Sequence, residues 1–166
     1  MFINGEPYPA VLNCHAHSKW CPSKPAMVKK LAAEGLHIWH WDLWHDWDWE
    51  SREGKLNGMS AMDKYAGAVL AHDPDALFFP RVYTQAPHWW RELYPEETFR
   101  WVHEDGSIDD YGPGNAEYAS YNSRPWRRDA AALFQRMVRH FQDTNYGQRV
   151  IGYMICSGLN AEWGME

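Results

Sequence analysis

The sequence lacks several features that would each point to a particular class of protein. No apolar run approaches the length of a membrane span. Residues 1–10 contain neither the basic nor the apolar stretch of a secretory signal, so we expect a cytoplasmic location. The formal net charge is -6 and basic doublets are few, which argues against nucleic acid as a partner because phosphate binding needs a basic face.

Cysteine is also scarce. Cys14, Cys21 and Cys156 make an odd count, show no metal-ligand spacing and provide no disulfide framework. This pattern fits a reducing compartment. No internal repeat, low-complexity tract or linker divides the chain, so residues 1–166 are expected to form one unit.

Tryptophan, in contrast, is abundant, with 11 in 166 residues. Five of them lie within the eleven residues from Trp39 to Trp49, a density that a hydrophobic core would rarely use. Aromatic rings stack well on the C–H faces of sugars, and ligand pockets are lined by aromatic side chains with a few polar groups. A ligand cleft is therefore favoured over the alternative, a protein–protein surface.

The order of hydrophobic patterns alternates strand and helix. Four short apolar runs predict strands at Tyr8–Cys14, Leu36–Trp41, Ala76–Val82 and Val150–Ile155. Pro80 weakens the third of these predictions because proline donates no hydrogen bond to a sheet. The segments between the runs have helical spacing of apolar residues.

Three helices are predicted from this spacing. The first begins near Pro25 and ends before Gly35, and the second covers Met59–Leu70. The third keeps one apolar face from Trp126 to Phe141, with Ser123 or Asn122 as its N-cap.

Strands separated by helices predict a parallel sheet with right-handed crossovers. The two longest loops, 42–58 and 84–121, both follow strands. They are therefore expected at the C-terminal edge of the sheet, where α/β barrels and doubly wound enzymes keep their active sites.

Glu162 is the strongest candidate for chemistry. It follows the fourth predicted strand and precedes Trp163. A carboxyl group beside an indole at the mouth of a sheet is placed to have a raised pKa and to act as a general acid. The alternative is an ordinary solvated glutamate in a loop.

Several segments resemble family 42 β-galactosidases and their relatives. The segments that carry the resemblance are Ala86–Trp90, Tyr94–Glu97, Glu104–Gly106, Val150–Tyr153 and Glu162–Gly164. The resemblance covers about residues 76–164 and implies a (β/α)₈ barrel, hydrolysis of a glycosidic bond with retention, Glu162 as acid/base and no cofactor. The chain then corresponds to strands one to four, the N-terminal half of the barrel.

Substrate-binding residues follow from the same picture. They lie at or after the ends of the predicted strands, or beside the proposed acid/base: His17, Trp41, Arg81, Tyr83, Trp89, Asn160 and Trp163. For Arg81 the alternative is a salt bridge inside the barrel mouth.

Two departures from the family pattern stand out. Ala161 precedes Glu162 where the family has Asn, so Asn160 is the candidate substitute. The family nucleophile is a second glutamate after strand seven, and the 166 residues end before a fifth strand. Retaining hydrolysis needs two carboxyl groups about 5–5.5 Å apart, so the isolated chain is expected to be inactive.

Two other functions stay open. His15 and His17 resemble the metal pair of amidohydrolase barrels, but a short His pair is a weak motif and later ligands are missing, so no bound metal is expected. A non-catalytic carbohydrate-binding piece is the other alternative. The mixture of His37, His40 and His45 with nearby aspartates follows no ligand rule and is interpreted as part of a sugar-binding loop.

A half barrel needs a partner. We expect either a homodimer that closes a pseudo-barrel or the missing C-terminal half, because open strand edges invite pairing. In a free half barrel the inward-facing side chains, expected to be Val11, Ile38, Phe78 or Phe79, and Ile151, would meet water.

Overall fold

The computed structural model describes residues 1–9, 11, 13–14, 25–40, 42–43, 59–83, 86–110 and 119–156. The α-helices in these ranges are α1 (Pro25–Ala33), α2 (Met59–Leu70), α3 (His88–Leu93) and α4 (Arg124–Asp143). The strands are β1 (Phe2–Ile3), β2 (Glu6–Pro7), β3 (Asn13–Cys14), β4 (Ile38–His40), β5 (Asp42–Leu43), β6 (Leu77–Phe78), β7 (Arg81–Tyr83), β8 (Arg100–Val102), β9 (Ile108–Asp110) and β10 (Met154–Cys156). Short 3₁₀ turns occupy Pro95–Glu97 and Gly147–Arg149.

The three predicted helices are confirmed, and their ends show why they form. Pro25 opens α1, and Gly35 follows it with φ 76°, the left-handed conformation that glycine adopts without strain. Of the two candidate caps for α4, Ser123 is correct, since its hydroxyl accepts a hydrogen bond from the Trp126 backbone N–H at 3.1 Å.

Parallel pairing joins the predicted strands in chain order. One three-stranded sheet has the order β3–β4–β6, and a second has the order β5–β7–β10. Only Trp41 separates β4 from β5 along the chain, and two residues separate β6 from β7. The two sheets therefore repeat the same order of strands, one after the other along the strand direction. A parallel bridge between Phe78 and Val150 adds the fourth predicted strand to this order.

Pro80 is accommodated by one extra residue on the neighbouring strand. Phe78 pairs with Val150, but Arg81 pairs with Met154, so two residues on the third strand face three on the fourth. The Pro80 carbonyl still accepts a hydrogen bond from the Met154 N–H at 2.9 Å. This bulge lies beside the residue that has no N–H to offer, as expected for proline within a sheet.

The main core lies between the sheet and the helices. Its buried members include aromatic and aliphatic side chains from all these elements: Val28, Trp39, Met62, Ala66, Phe78, Met137 and Phe141. Trp39 is fully buried and donates its indole N–H to Asp73 at 2.7 Å, so this tryptophan belongs to the core and not to a ligand cleft.

The expectation of exposed inward-facing side chains is partly wrong. Phe78 faces the helices, so Phe79 is the residue of this pair on the opposite face of the sheet, together with Ile38. Ile38 is nevertheless 0% exposed, whereas Val11 is 47% exposed.

The segment after the third strand, predicted as a long irregular connection, contains a second small core. Ala86, Trp90, Ala119, Trp126 and Leu133 are buried there together. A bridge between Thr98 and Ala119 closes the base of the antiparallel hairpin β8–β9, whose tip is exposed from Val102 to Ile108. The turn near the tip is closed by Asp105, which accepts hydrogen bonds from the backbone and hydroxyl of Ser107.

A polar joint links α2 to α4 and to the segment after it. Asp63 accepts a hydrogen bond from the Tyr146 hydroxyl at 2.5 Å, and His140 Nε2 lies 3.0 Å from the same carboxyl oxygen. Burial, followed by the neighbouring Asp63, raises the pKa of Tyr146 well above its usual value of 10.0.

We expect this pKa shift to make the fold sensitive to alkali. In the folded protein the Tyr146 hydroxyl stays neutral, whereas in the unfolded chain the same hydroxyl ionises near pH 10. Its contribution to the free energy of unfolding is therefore fully present below pH 10 and is lost as the pH rises above 10. Between pH 8 and pH 11, the free energy of unfolding should therefore fall by about 1.4 kcal/mol less in the Tyr146→Phe variant than in the parent. Urea unfolding at both pH values measures this, and equal losses in the two proteins would contradict it.

Candidate functional site

The candidate site is the edge at which the parallel strands end. Asp42, Arg81 and Met154 are aligned across β5, β7 and β10, and Tyr83 is aligned with Cys156 two residues further along. Ligands of open parallel sheets bind outside these carboxyl ends. The fourth strand ends at Cys156, and the chain continues from there to Asn160, Glu162 and Trp163.

Arg81 lies on the face of the sheet that points away from the helices. Val82 is 1% exposed and belongs to the main core, and Ile155, aligned with Val82, packs against the same core. Side chains alternate along a strand, so Arg81 faces the opposite way. Arg81 is half-buried. Its guanidinium group carries N–H donors in a planar fork, a geometry suited to polar partners.

Tyr83 occupies the last position of β7, as predicted from the end of the third strand. Its backbone is aligned with Cys156. Arg81 and Tyr83 are the first and last residues of β7, and their role in binding a sugar stays a prediction.

Trp89 and Trp90 lie in α3, within the connection after the third strand. Trp89 is half-buried and packs against the second core, so part of its surface is used for packing. Trp90 is 1% exposed and donates its indole N–H to Asp129 at 2.9 Å. The sequence pattern singled out Trp89, but the structure shows that Trp90 anchors this connection to α4.

An ion pair between Arg128 and Asp129 supports the contact between Trp90 and α4. Arg128 Nε donates to Asp129 Oδ1 at 2.7 Å. This hydrogen bond is the main cause that lowers the pKa of the Asp129 carboxyl, and the bond from Trp90 lowers it further. Asp129 therefore stays ionised and holds both partners at the start of α4.

His37 and His40 were interpreted as part of a sugar-binding loop, and for His37 this is wrong. Its Nδ1 lies 2.8 Å from Asp73, a buried carboxylate before the third strand, at the edge opposite the candidate site. His40, only 6% exposed, is the last residue of β4 and is aligned with Cys14. Its carbonyl accepts a hydrogen bond from the Tyr65 hydroxyl at 3.4 Å.

The remaining predicted site residues lie outside the described residues. They are His15, His17, Trp41, Asn160, Glu162 and Trp163. The loop predicted from Asp42 begins with the short strand β5, and residues 44–58 also lie outside the described part. Within the described ranges, no group of three or more His, Cys, Asp or Glu side chains is close enough together to hold a metal ion.

Among the same residues, no helix is long and apolar enough to cross a membrane. Comparison of the chain with models of known protein families, and with curated proteins, gives no match.

Proposed function

We propose that this chain supplies the first four strands of a (β/α)₈ barrel that binds and cleaves a β-galactoside-like sugar, with Glu162 as its general acid/base. The observation that carries the proposal is the order of the parallel strands. Four segments pair in the order in which they occur along the chain, and helices α1, α2 and α4 lie between consecutive segments. This is the arrangement of consecutive strands in such a barrel.

The strand order supports a shared edge for the candidate residues. Arg81 and Tyr83 end the third strand, and Glu162 follows the end of the fourth by six residues. Neighbouring parallel strands end side by side, and in this proposal the segment after the fourth strand brings Glu162 to the same edge as Arg81. Loops at this edge carry the catalytic groups of barrel enzymes.

The proposed chemistry of Glu162 has two steps. Its protonated carboxyl group donates a proton to the oxygen that leaves the sugar, and its carboxylate then removes a proton from the attacking water. Arg81 and Asn160 bind sugar hydroxyls, while Trp163 and the other tryptophans near the edge stack on the ring. A second carboxylate must act as the nucleophile, and Glu162 alone does not fill both roles.

A further set of strands completes the barrel in this proposal. β3 and β10 occupy the outer positions of the described strand order, and in this proposal the further strands pair beside them. Either a C-terminal half or a second copy of the chain supplies the additional strands. A second copy places Glu162 at ring positions four and eight, which differs from the four-and-seven placement of the family.

Binding of galactose tests the proposed site directly. Galactose should change the tryptophan fluorescence of the protein in a saturable manner. The Arg81→Ala variant should bind it about tenfold more weakly, since it loses charge-assisted hydrogen bonds. Fluorescence titration measures both effects, and far-UV circular dichroism checks that the variant is folded.

Arg139→Ala is the matched control, because Arg139 is an exposed arginine on α4 and its removal changes the net charge equally. Its affinity for galactose should equal that of the parent. A fluorescence change that does not saturate, or an equal loss in both variants, contradicts a sugar site at Arg81.

A further inference from the structure

The antiparallel hairpin β8–β9 presents two apolar side chains to solvent on one face. Val102 and Ile108 are directly paired across its two strands, so their side chains lie on the same face. Val102 is 66% exposed and Ile108 is 58% exposed. A two-stranded hairpin is marginally stable in water unless its apolar face packs against another element. These two side chains therefore mark a surface that another element can cover.

The tip of this hairpin is acidic. Glu104 and Asp105 occupy the turn between the two strands, and both are exposed. Asp105 accepts hydrogen bonds from the hydroxyl and the backbone N–H of Ser107, and these bonds lower the pKa of its carboxyl group. The tip therefore carries negative charge at neutral pH, next to the apolar pair.

The base of the hairpin lies beside the start of α4. A bridge between Thr98 and Ala119 closes the base. The chain then makes a tight turn in which the Ser123 N–H donates to the Ser120 carbonyl at 2.9 Å, and α4 begins at the next residue. Residues at the start of α4 are therefore close to the base.

This start of α4 is basic. Arg124 and Arg127 are both exposed, and their spacing of three residues places them on the same side of the helix. Six residues of strand separate Thr98 at the base from Glu104 at the tip, a distance of about 20 Å. The hairpin therefore has negative charge at its tip, positive charge beside its base, and the apolar pair between them.

This distribution of charge makes the hairpin complementary to a second copy of itself. When two hairpins lie side by side in opposite directions, each acidic tip meets the basic base of the other. The two apolar pairs then face each other in the middle. A two-fold axis relates the two copies, so every contact occurs twice. A second copy of the chain therefore matches both ends of the hairpin and its apolar face at once.

We propose that the chain forms a two-fold homodimer through β8–β9, with Val102 and Ile108 at the centre and Glu104 facing Arg124 and Arg127 of the second copy. Two apolar side chains and two charged ends give a contact smaller than the about 1,200 Å² at which standard interfaces begin, so the dimer is weak. Its exposed charges make it sensitive to salt. The surface differs from the edges of the parallel strands, so the inference does not depend on the proposed function.

Sedimentation equilibrium of the intact 166-residue protein tests the dimer. At low salt the average mass should rise from monomer toward dimer with a dissociation constant on the order of 100 µM, and added salt should raise this constant. Glu104→Lys and Arg124→Glu should each raise it about tenfold, because each change removes the attraction between tip and base at both contacts. An equimolar mixture of the two variants should associate more tightly than either alone, since the parental tip of one then faces the parental base of the other.

Glu34→Lys and Arg139→Glu are the matched controls, because they make the same changes of charge at exposed positions outside the hairpin and the start of α4. Both should keep the parental dissociation constant, and far-UV circular dichroism checks that all four variants are folded. A protein that stays monomeric at every concentration overturns the inference. A dimer that is unchanged in both reversal variants, or weakened equally by the controls, overturns it as well, since another surface then holds the two copies together.

Discussion

Replacing Asp73 with alanine should lower the free energy of unfolding by about 3 kcal/mol. Asp73 is 1% exposed, and its carboxylate accepts hydrogen bonds from the Trp39 indole at 2.7 Å and the Asp75 backbone at 3.2 Å, with His37 at 2.8 Å. Removal of the carboxylate leaves the indole N–H of Trp39 in the core without its acceptor. An unsatisfied buried donor costs about 1–3 kcal/mol, in addition to the lost bonds.

Asp75→Ala is the control for this prediction. Asp75 is exposed, and it contributes its backbone N–H to the network, which alanine retains. We expect a change within about 0.5 kcal/mol. Asp73→Asn should fall between the two variants because an amide oxygen can still accept the bond from Trp39. Urea unfolding measures all three, and equal stability of the Asp73→Ala and Asp75→Ala proteins would contradict the role of Asp73.

The Gly147→Ala variant should also lose about 3 kcal/mol of its free energy of unfolding. A Cβ at this position would overlap the Phe141 carbonyl oxygen and lie 3.0 Å and 3.1 Å from the backbone oxygen and Cα of Gln142. These are backbone atoms at the end of α4, so relief requires a shift of the turn that leads into the fourth strand. Thermal unfolding followed by circular dichroism measures the loss.

The Gly67→Ala substitution should have the opposite effect on stability. Gly67 lies inside α2, is exposed, and a Cβ there would meet no atom within 4 Å. Alanine has the higher helix propensity, so this variant should be more stable by about 0.5–1 kcal/mol. If both glycine variants changed stability in the same direction, the close approach at Gly147 would not be the cause.

Local sequence patterns predicted the helices that pack on the sheet. The spacing of Met59, Met62, Ala66, Val69 and Leu70 matches α2 from end to end. The apolar face from Trp126 to Phe141 likewise matches α4. Both signals are local, because three to four residues per turn place these side chains on one face whatever the rest of the chain does.

Elements that depend on distant contacts were not predicted. Helix α3 has six residues and is held by Trp90 through Asp129, which is 39 positions away in the sequence. The hairpin β8–β9 is closed at its base by Thr98 and Ala119. Neither contact leaves a periodic pattern, and abundant aromatic, proline and glycine residues favoured an irregular connection.

For the candidate site, the sequence predicted which residues lie near the strand ends better than which residues they contact. Arg81 and Tyr83 lie in β7, close to the predicted end of the third strand, and their role at a site stays a prediction. The histidines near the second strand were harder to interpret, because the role of His37 is set by Asp73, 36 positions away. Likewise, Pro80 made the prediction of the third strand less certain from sequence. The sheet tolerates this proline because the fourth strand has one extra residue beside it.

We propose that Glu162 lies beside Arg81 at the carboxyl edge of the parallel strands and acts on a glycosidic oxygen. A crystal structure of the protein with a bound aryl β-galactoside tests it most directly. We predict the sugar at the ends of β7 and β10, with a Glu162 carboxyl oxygen about 3 Å from the glycosidic oxygen. Glu162 at the opposite edge, near Asp73, or a galactoside bound on the helix-covered face would contradict the claim.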